Sequence, residues 1–344
     1  MKTVWEKAKE THKPILIYGT GNGADKIIDE LNRLEIAVSG VFVSDGFVRN
    51  RTFRGFNVIS YSDAKKQFGD FLVLISFGSQ RPEVLENIKK IASERETYSV
   101  DVPVYSENIF NREFYENHIS EIEKVKTFLS DDKSREVYEN IIRFKLTGEI
   151  ECLTSCETPR EEAYENILKL SNDEIYMDLG AFIGDTVAEF LENTVSYRKI
   201  YAVEPDMKNF RKLEKNTENL ENIQRLNVCV SDFCGDAQFS KDGGRNSSAD
   251  KTGTVVKCMT VDSIVGENDV SYIKFDVEGL EKEAISGAEK TIKRCKPKML
   301  ISCYHRSEDI FAIALQIMSL RDDYKVYLRH NPYIPAWDTQ FYFI

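Results

Sequence analysis

The sequence predicts an α/β protein in which a helical connector joins two Rossmann-like units. Short apolar runs alternate with helix-like segments over residues 14–104 and again over residues 171–344. Residues 106–170 instead carry charged and aromatic side chains at helical spacing, with little strand signal. Because strands and helices that alternate at these lengths form parallel, doubly wound sheets, we expect domains at 1–105 and 171–344 and a connector between them.

The composition is that of an ordinary globular chain. Of the 344 residues, 42% are hydrophobic and 30% are charged, and this length favours two domains. No apolar run approaches the roughly 18 residues of a transmembrane helix, and we expect neither a membrane span nor a secretory signal. Seven cysteines without a C-x-x-C pair argue against a disulfide framework or a zinc site and favour the cytoplasm. The net charge of −11 disfavours a nucleic-acid partner.

A glycine-rich turn follows the first predicted strand, "PILIY". In "GTGNGADKII", Gly19, Gly21 and Ala24 fit the pattern G-x-G-x-x-A, which precedes helices that bind dinucleotides. Asp45 ends the next strand, "VSGVFVSD", where a ribose-binding acid would stand. A second glycine turn, "SFGSQ", closes a later strand. This pattern predicts an N-terminal nucleotide site formed by Gly19, Gly21, Asn22, Gly23 and Asp45.

The ligand of this first site remains open. Residues 14–95 resemble the nucleotide-sugar-binding domain of sugar acyltransferases in bacterial glycan synthesis, and that resemblance implies a nucleotide-linked sugar rather than NAD. An NAD(P)-dependent oxidoreductase would use the same kind of turn. A domain that has lost its ligand and serves docking or dimerisation is the structural alternative.

The second unit opens with "EIYMDLGAFIGDT", residues 174–186, where a strand ends in an acid just before a glycine turn. Asp178 would repel a phosphate placed on this turn, whereas it would attract a ligand with an ammonium and a sulfonium. S-adenosylmethionine carries both groups, and amides at a helix N-terminus suit its carboxylate. The stretch therefore predicts an S-adenosylmethionine site.

Two further strands contribute acids to this predicted site. "KIYAVEPD" ends in Glu204, about 20 residues past the turn, where a carboxylate accepts ribose hydroxyls. "LNVCVSDFCG" ends with Asp232, which we predict to accept from the adenine amino group, and Phe233, which we predict to pack on the ring. Each acid alone also fits a solvated loop or a helix cap. The predicted cofactor residues are Asp178, Gly180, Ala181, Gly184, Asp185, Thr186, Glu204, Pro205, Asp232 and Phe233.

Candidate catalytic residues follow the later strands. Asp276 and Glu278 stand two apart at a strand end, so both side chains would face the same way if the strand persists. His305 follows the strand "KMLISCY", and histidine suits proton transfer near neutral pH. We predict His305 as general base or acceptor-orienting group, with Asp276 as its partner. A divalent ion held by Asp276, Glu278 and His305 is possible but not favoured; plainer roles are a loop contact for His305 and a helix cap for Glu278.

The chain closes with "YKVYLRH" and "TQFYFI", two strands too close together for a helix between them. They must therefore pair antiparallel, and a parallel sheet finished by such a hairpin is typical of class I methyltransferases. Arg329 and His330 are candidates for orienting an acceptor phosphate or carboxylate, although such a pair is more often a polar strand end. The strands predicted before the hairpin are 175–179, 199–204, 223–230, 271–276 and 298–303.

The stretches "MDLGAFIGDT", "YAVEPDMKNFRKLEKN", "IKFDVEGLEKEAISGAEKTI" and "YHRSED" resemble the FkbM family of S-adenosylmethionine-dependent methyltransferases. The resemblance covers residues 171–344. "YLRH" followed by Asp338-Thr339 resembles a subgroup associated with polysaccharide gene clusters, in which Glu-Thr would be expected, and Phe182 stands where many methyltransferases carry glycine. The resemblance implies O-methylation of a sugar or nucleotide-sugar hydroxyl in polysaccharide or glycoconjugate biosynthesis.

Other functions remain open from the sequence alone. One is an NAD(P)- or nucleotide-sugar-binding protein, either an oxidoreductase or a scaffold whose methyltransferase half has decayed; the intact acids argue against decay. Another is a nucleic-acid or protein methyltransferase, and the acidic charge disfavours the first of these. A homo-oligomer is compatible with the sequence, which does not identify the acceptor.

Overall fold

Two large, mostly parallel sheets make up the fold, as the alternation of strands and helices predicts. In this computed structural model the described residues are 1–49, 51–105, 108–239 and 254–344. Residues 106 and 107 of the predicted connector lie outside them. Within the described ranges, none of the helices combines the length and apolarity that crossing a bilayer requires.

The first sheet has six strands in the order β3-β4-β2-β1-β5-β6, with β1 parallel to both of its neighbours. These strands are β1 (Ile15–Tyr18), β2 (Gly40–Val43), β3 (Thr52–Phe53), β4 (Phe56–Ser60), β5 (Leu72–Ile75) and β6 (Thr97–Ser99). Leu16 and Tyr18 enter one apolar cluster, and Ile15 and Ile17 enter another. This alternation is expected for a sheet that is covered on both faces.

The helices of the first unit are α1 (Val4–Glu10), α2 (Asn22–Arg33), α3 (Tyr61–Phe68) and α4 (Pro82–Glu94). Helix α2 buries Ala24, Ile27, Ile28 and Leu31, whose spacing places them on one face. The helix begins directly after the first glycine turn, so its first amide groups lie at the carboxyl end of β1.

The connector is helical, as its periodicity predicts. It comprises α5 (Arg112–Asn117), α6 (Ile119–Phe128), α7 (Asp132–Thr147), α8 (Ile150–Thr154) and α9 (Arg160–Ala163), which continues into a π-helical turn, Tyr164–Leu168. The largest apolar cluster includes Leu16 of β1, Tyr138 of α7 and Met177 from the second half of the chain. The connector and both sheets therefore share one core.

The second sheet has seven strands in the order β15-β16-β14-β13-β7-β8-β9. They are β7 (Glu174–Leu179), β8 (Tyr197–Val203), β9 (Ile223–Leu226), β13 (Tyr272–Phe275), β14 (Lys298–Ser302), β15 (Val326–His330) and β16 (Thr339–Phe343). Strand β16 runs antiparallel to both β14 and β15. The predicted closing hairpin and the methyltransferase type of sheet are thus confirmed.

One predicted strand is divided. The sequence predicts a single strand over 223–230, but β9 ends at Leu226. Cys229–Val230 forms β10 of a separate three-stranded sheet, in the order β10-β12-β11, with β11 (Gly235–Phe239) and β12 (Thr254–Met259). The break falls at Asn227, whose side-chain amide donates to the carbonyls of Glu204 and Pro205 at 2.9 and 3.0 Å.

The helices of the second unit flank its sheet. They are α10 (Asp185–Glu192), α11 (Met207–Asn216), α12 (Val261–Val265), α13 (Glu281–Ser286), α14 (Glu289–Cys295) and α15 (Asp309–Leu320). Helix α10 follows the glycine turn at 180–184, and α13 follows the turn after β13. Both helices therefore start at the carboxyl edge of the sheet, where open α/β sheets bind ligands.

Candidate functional site

The glycine turn at 180–184, between β7 and α10, passes very close to the end of β13. Gly180 has φ +88°, and a Cβ there would lie 1.9 Å from the carbonyl oxygen of Asp276. Gly184, with φ +92°, opens α10. Only glycine fits the first position, because any side chain would separate the turn from Asp276.

A cavity of about 720 Å³ opens at this edge of the sheet. Three walls come from the second unit: the glycine turn, the residues after β8, and the segment 228–230. A fourth wall consists of Lys274 in β13 together with Asp276, Val277 and Glu278 after it. Gln80, Tyr105 and Tyr333 complete the lining. Of the predicted cofactor residues, the cavity is lined by Gly180, Asp185, Thr186, Glu204 and Pro205.

Glu204 stands where the sequence predicts the ribose-binding acid. It is 6% exposed, and its two carboxylate oxygens accept hydrogen bonds from the N–H groups of Phe182 (3.0 Å) and Asp206 (2.8 Å). Burial raises the pKa of Glu204 to about 7, although these two bonds act to lower it. A carboxylate offers about four lone-pair sites, so Glu204 can still accept from a ligand.

Asp178 lies behind the cavity rather than in its wall. It is fully buried, accepts a hydrogen bond from Thr186 Oγ1 at 2.5 Å, and has Oδ1 3.7 Å from the ammonium of Lys274. Burial raises the pKa of Asp178, partly offset by Lys274. Ala181 is also fully buried. Asp178 therefore holds in place two residues that face the cavity. The predicted direct contact between its carboxylate and the ligand is not supported by this position.

Asp232 and Phe233 do not reach this cavity. Because β9 ends at Leu226, Asp232 follows β10 of the small sheet and lines a different cavity, about 690 Å³, beside α6 and α15. Phe233 packs on the small cluster of Cys229, Cys258 and Leu280. Residues 228–230 line the cavity at this edge of the sheet, so the predicted adenine contacts of Asp232 and Phe233 are not supported by their positions.

His305 is 1% exposed and sits among three carboxylates. Its Nε2 lies 3.7 Å from Asp276 Oδ1 and 3.4 Å from Glu278 Oε2, and its Nδ1 lies 3.0 Å from Glu281 Oε1. Burial acts to lower the pKa of His305, but Glu281 and the other two acids outweigh it and raise that pKa well above its ordinary value. The structure therefore brings the three predicted catalytic residues together.

A turn, rather than a continuing strand, places Asp276 and Glu278 on the same side. Strand β13 ends at Phe275, and Glu278 has φ +56°. Asp276 contacts Lys274 Nζ at 3.3 Å and accepts from the hydroxyl of Tyr304 at 3.3 Å. Burial acts to raise the pKa of Asp276, but Lys274 and then His305 lower it overall.

Glu281 is the residue that sequence reasoning missed. It is 1% exposed, and it accepts from the N–H of Val277 at 3.0 Å, so it, rather than Glu278, binds the backbone of the turn. Its presence in the first turn of α13 was visible in the sequence, but its contact with His305 depends on the adjacent strands. Ligand atoms of Asp276, Glu281 and His305 lie within 4.8 Å of one another, the one such group found in the described ranges. The conceivable metal trio thus contains Glu281 instead of Glu278.

The first glycine turn faces a second cavity, about 270 Å³, which Gly21, Asn22, Gly23 and Lys26 line in part. Gly19 is absent from its lining; it has φ +118°, and a Cβ there would lie 2.6 Å from Ser76 Oγ. Asp45 accepts from the N–H and hydroxyl of Ser62 at 2.9 and 2.6 Å, at the start of α3. The predicted ribose contact by Asp45 is therefore not supported by its position.

The sequence predicts no Tyr-x-x-x-Lys catalytic pair near the N-terminal unit, but this spacing does occur there. Tyr61 and Lys65 have the Tyr-x-x-x-Lys spacing of a large dehydrogenase group, but both side chains bond Glu94, each at 3.0 Å. They are absent from the residues that line the second cavity.

The Arg329-His330 pair is structural as well. Arg329 pairs with Asp131 at 2.8 Å and Glu162 at 2.9 Å, and it is 3% exposed. His330 Nδ1 lies 2.9 Å from Thr339 Oγ1, and burial lowers its pKa to about 4. The "YLRH" and "DT" stretches therefore belong to the closing hairpin and not to an acceptor site.

Comparisons with known proteins agree with this geometry. Residues 178–331 match the family model described as the methyltransferase FkbM domain. The crystal structure of methyltransferase FkbM from Methylobacillus flagellatus KT aligns with TM-score 0.74 and 22% identity, over 96% of this chain and 90% of that chain. It shows that the fold of both halves is shared.

Other solved structures are more distant. An rRNA methylase from Streptococcus thermophilus aligns with TM-score 0.37 and 15% identity, over 54% of this chain and 96% of that one. Aeropyrum pernix fibrillarin, crystallised with bound S-adenosyl-L-methionine, aligns with TM-score 0.34 and 17% identity, over 54% of this chain and 74% of that one. A search of curated proteins returned no match.

Proposed function

We propose that this protein is an S-adenosylmethionine-dependent O-methyltransferase that acts on a sugar hydroxyl, because residues 178–331 match the family model of the methyltransferase FkbM domain. The observation that carries the proposal is the position of His305: its Nε2 points at Asp276 and Glu278, which line the cavity at the glycine turn. A potential proton acceptor thus stands beside a cavity suited to the methyl donor.

The residues of the cavity fit this cofactor. Glu204 can accept the ribose hydroxyls, Val228 and Val230 offer apolar contact for adenine, and the amides at the start of α10 suit the carboxylate. Asp185, Asp276 and Glu278 favour a cation, and Lys274 is the one basic side chain lining the cavity among the described residues. When bound, S-adenosylmethionine supplies an electrophilic methyl group on a sulfonium.

His305 does not itself line the cavity, but its Nε2 faces Asp276 and Glu278, which do. This nitrogen would take the proton of an acceptor hydroxyl bound between the two carboxylates, while Nδ1 lies against Glu281. Burial acts to lower the pKa of His305, but the three surrounding carboxylates raise it well above its ordinary value and so favour the protonated ring. A cation bound beside Asp276 lowers that pKa, because like charges repel. A cationic methyl donor bound there would therefore favour the neutral form of His305.

The FkbM-type stretches support a sugar acceptor and a role in polysaccharide or glycoconjugate synthesis. The seven cysteines without a C-x-x-C pair support a place in the cytoplasm. The proposal also divides the chain into a nucleotide- or nucleotide-sugar-binding domain at 1–105, a helical connector at 106–170 and a methyltransferase domain at 171–344. The second candidate function is nucleotide-sugar or NAD(P) binding by the N-terminal unit, which Gly21, Asn22 and Gly23 favour because they face a cavity.

Calorimetric titration of the full chain tests the proposal. S-adenosylmethionine is expected to bind with micromolar affinity, about −8 kcal/mol, and Glu204→Gln is expected to weaken it. Gln224→Ala, on an exposed position of β9, is the matched control. If the folded protein does not bind S-adenosylmethionine but binds NAD or a nucleotide sugar, the methyltransferase proposal is wrong and the nucleotide-binding function replaces it.

A further inference from the structure

Three segments reach the 720 Å³ cavity from outside the four walls that we assign to the methyl donor. Gln80 follows β5, Tyr105 follows β6, and Tyr333 lies in the loop between β15 and β16. Two of these residues come from the first half of the chain, which the methyltransferase domain match does not include. The cavity is therefore composite, and the N-terminal unit forms part of its wall.

These segments are fixed to one another by backbone contacts. Ser79 and Ile334 exchange two hydrogen bonds, at 2.8 and 3.1 Å, between the loop after β5 and the hairpin loop. Gly78 packs against Trp337 so closely that a Cβ would lie 2.4 Å from the indole ring. Gln80 and Tyr333 therefore stand next to a bridge that holds both loops in place.

Tyr105 is fixed directly to the catalytic histidine. The N–H groups of Val104 and Tyr105 donate to the carbonyl of His305 at 3.0 and 3.2 Å, and the rings of Tyr105 and His305 are 5.9 Å apart. A Cβ on Gly279 would lie 2.8 Å from Cβ of Tyr105. The tyrosine is thus a built part of the cavity beside the proposed base.

The charge of the cavity restricts what can lie against this wall. Five acids line it, and Lys274, its one basic side chain among the described residues, is occupied by Asp178 and Asp276. A phosphate near the reacting centre would be repelled. Two tyrosines and an amide instead match an uncharged ring that has apolar faces and hydroxyls at its edge, since aromatic side chains supply contact area while a few polar groups orient the ligand. The five acids are Asp185, Glu204, Asp206, Asp276 and Glu278.

We infer that Gln80, Tyr105 and Tyr333 form the acceptor subsite and hold an uncharged pyranose ring with one hydroxyl directed at Asp276 and His305. This inference rests on the proposed function, because it names the acceptor side of the same cavity. A phosphate or nucleotide attached to the sugar would have to lie away from the acids. The second cavity adjoins the same segments, since Gly78, Val104 and Trp337 line it.

Saturation-transfer NMR tests the subsite. The full chain is saturated with S-adenosylhomocysteine, whose affinity calorimetry measures independently, and is mixed with methyl pyranosides of glucose, galactose, mannose and rhamnose. At least one is expected to receive saturation on its ring protons. Tyr105→Ala, Tyr333→Ala and Gln80→Ala are each expected to weaken that sugar about tenfold, or 1.4 kcal/mol, and to change the S-adenosylhomocysteine affinity less than twofold.

Control measurements separate the acceptor subsite from the methyltransferase proposal on which it rests. Tyr105→Phe keeps the ring packed on Gly279 and should retain most of the sugar signal, and Gln224→Ala should match the wild type. If S-adenosylhomocysteine binds but no sugar is saturated, or if all three alanine variants retain full saturation, the subsite is wrong while the methyltransferase proposal stands. If S-adenosylhomocysteine itself does not bind the folded wild type, both the subsite and the methyltransferase proposal are wrong.

Discussion

Nδ1 of His305 lies 3.0 Å from Oε1 of Glu281, and both side chains are almost completely buried. This ion-pair contact places Nδ1 against Glu281 and leaves Nε2 towards Asp276 and Glu278. Glu281 also accepts from the backbone of the turn after β13. One carboxylate thus orders both the histidine and the loop that carries its other partners.

Replacing His305 should remove proton transfer without emptying the cofactor site. We expect His305→Gln to lower kcat about 100-fold, within the usual range for a general base, and to leave the affinity for S-adenosylmethionine within about threefold. Steady-state kinetics and calorimetry on the same sample check this. Wild-type turnover in the variant would exclude His305 as the base.

Glu281→Gln should shift the pH profile of turnover. The pKa of His305 is raised chiefly by Glu281, so loss of that charge lowers the pKa and moves the acid limb of kcat to lower pH. The maximal rate should fall about tenfold, because the ring is less firmly oriented. The control is Glu283→Gln, two residues on, whose carboxylate contacts Arg306 at 3.5 Å. A profile identical to that of the wild type would contradict the positioning role.

The sheets could be predicted because their evidence is local. Strand β7 is a continuous apolar run that ends at an acid and a glycine turn, and the closing hairpin follows from the lack of room for a helix between its strands. Glu204 was found for the same reason, since its place depends only on where one strand ends.

The errors concern residues whose roles depend on partners distant in the sequence. The apolar run around Val228 continues past the true end of β9, because the break comes from bonds between Asn227 and the carbonyls after β8. Asp45 lies at the end of its strand region, yet Ser62 occupies its carboxylate. No local pattern marks such tertiary hydrogen bonds.

Glu204 should make stability depend on pH. Its folded pKa, about 7, is above the ordinary value of 4.5, so its contribution to stability is fully present below pH 4.5 and is lost as the pH rises through 7. The upper limit of this loss is about 3 kcal/mol. We expect the free energy of unfolding in urea, wild type minus Glu204→Gln, to decrease between pH 5 and pH 8. A difference that is constant with pH would show that the carboxylate is not perturbed.

Chelation should leave the enzyme active. Each nitrogen of His305 already faces a carboxylate, so an ion bound to the ring would have to displace one of these contacts. Dialysis against EDTA is therefore expected to preserve kcat within about twofold, and added Mg²⁺ or Mn²⁺ should not raise it. Loss of activity that a divalent ion restores would instead assign a metal to Asp276, Glu281 and His305.

Phe182 combines backbone strain with a position in the cavity wall, and two substitutions can separate these effects. Its φ is +46°, in the left-handed region that costs a side-chain-bearing residue about 1–2 kcal/mol, and its side chain is 48% exposed. Phe182→Ala removes the ring but keeps the strain, whereas Phe182→Gly removes both. We expect the glycine variant to be about 1 kcal/mol more stable than the alanine variant in urea unfolding, with the entropy of glycine in the unfolded chain offsetting part of the gain.

Both variants should bind S-adenosylmethionine with similarly reduced affinity, since both lose the apolar surface that faces the ligand. Equal stability of the two variants would mean that the turn relaxes without cost, and unchanged affinity in both would place the cofactor away from this residue.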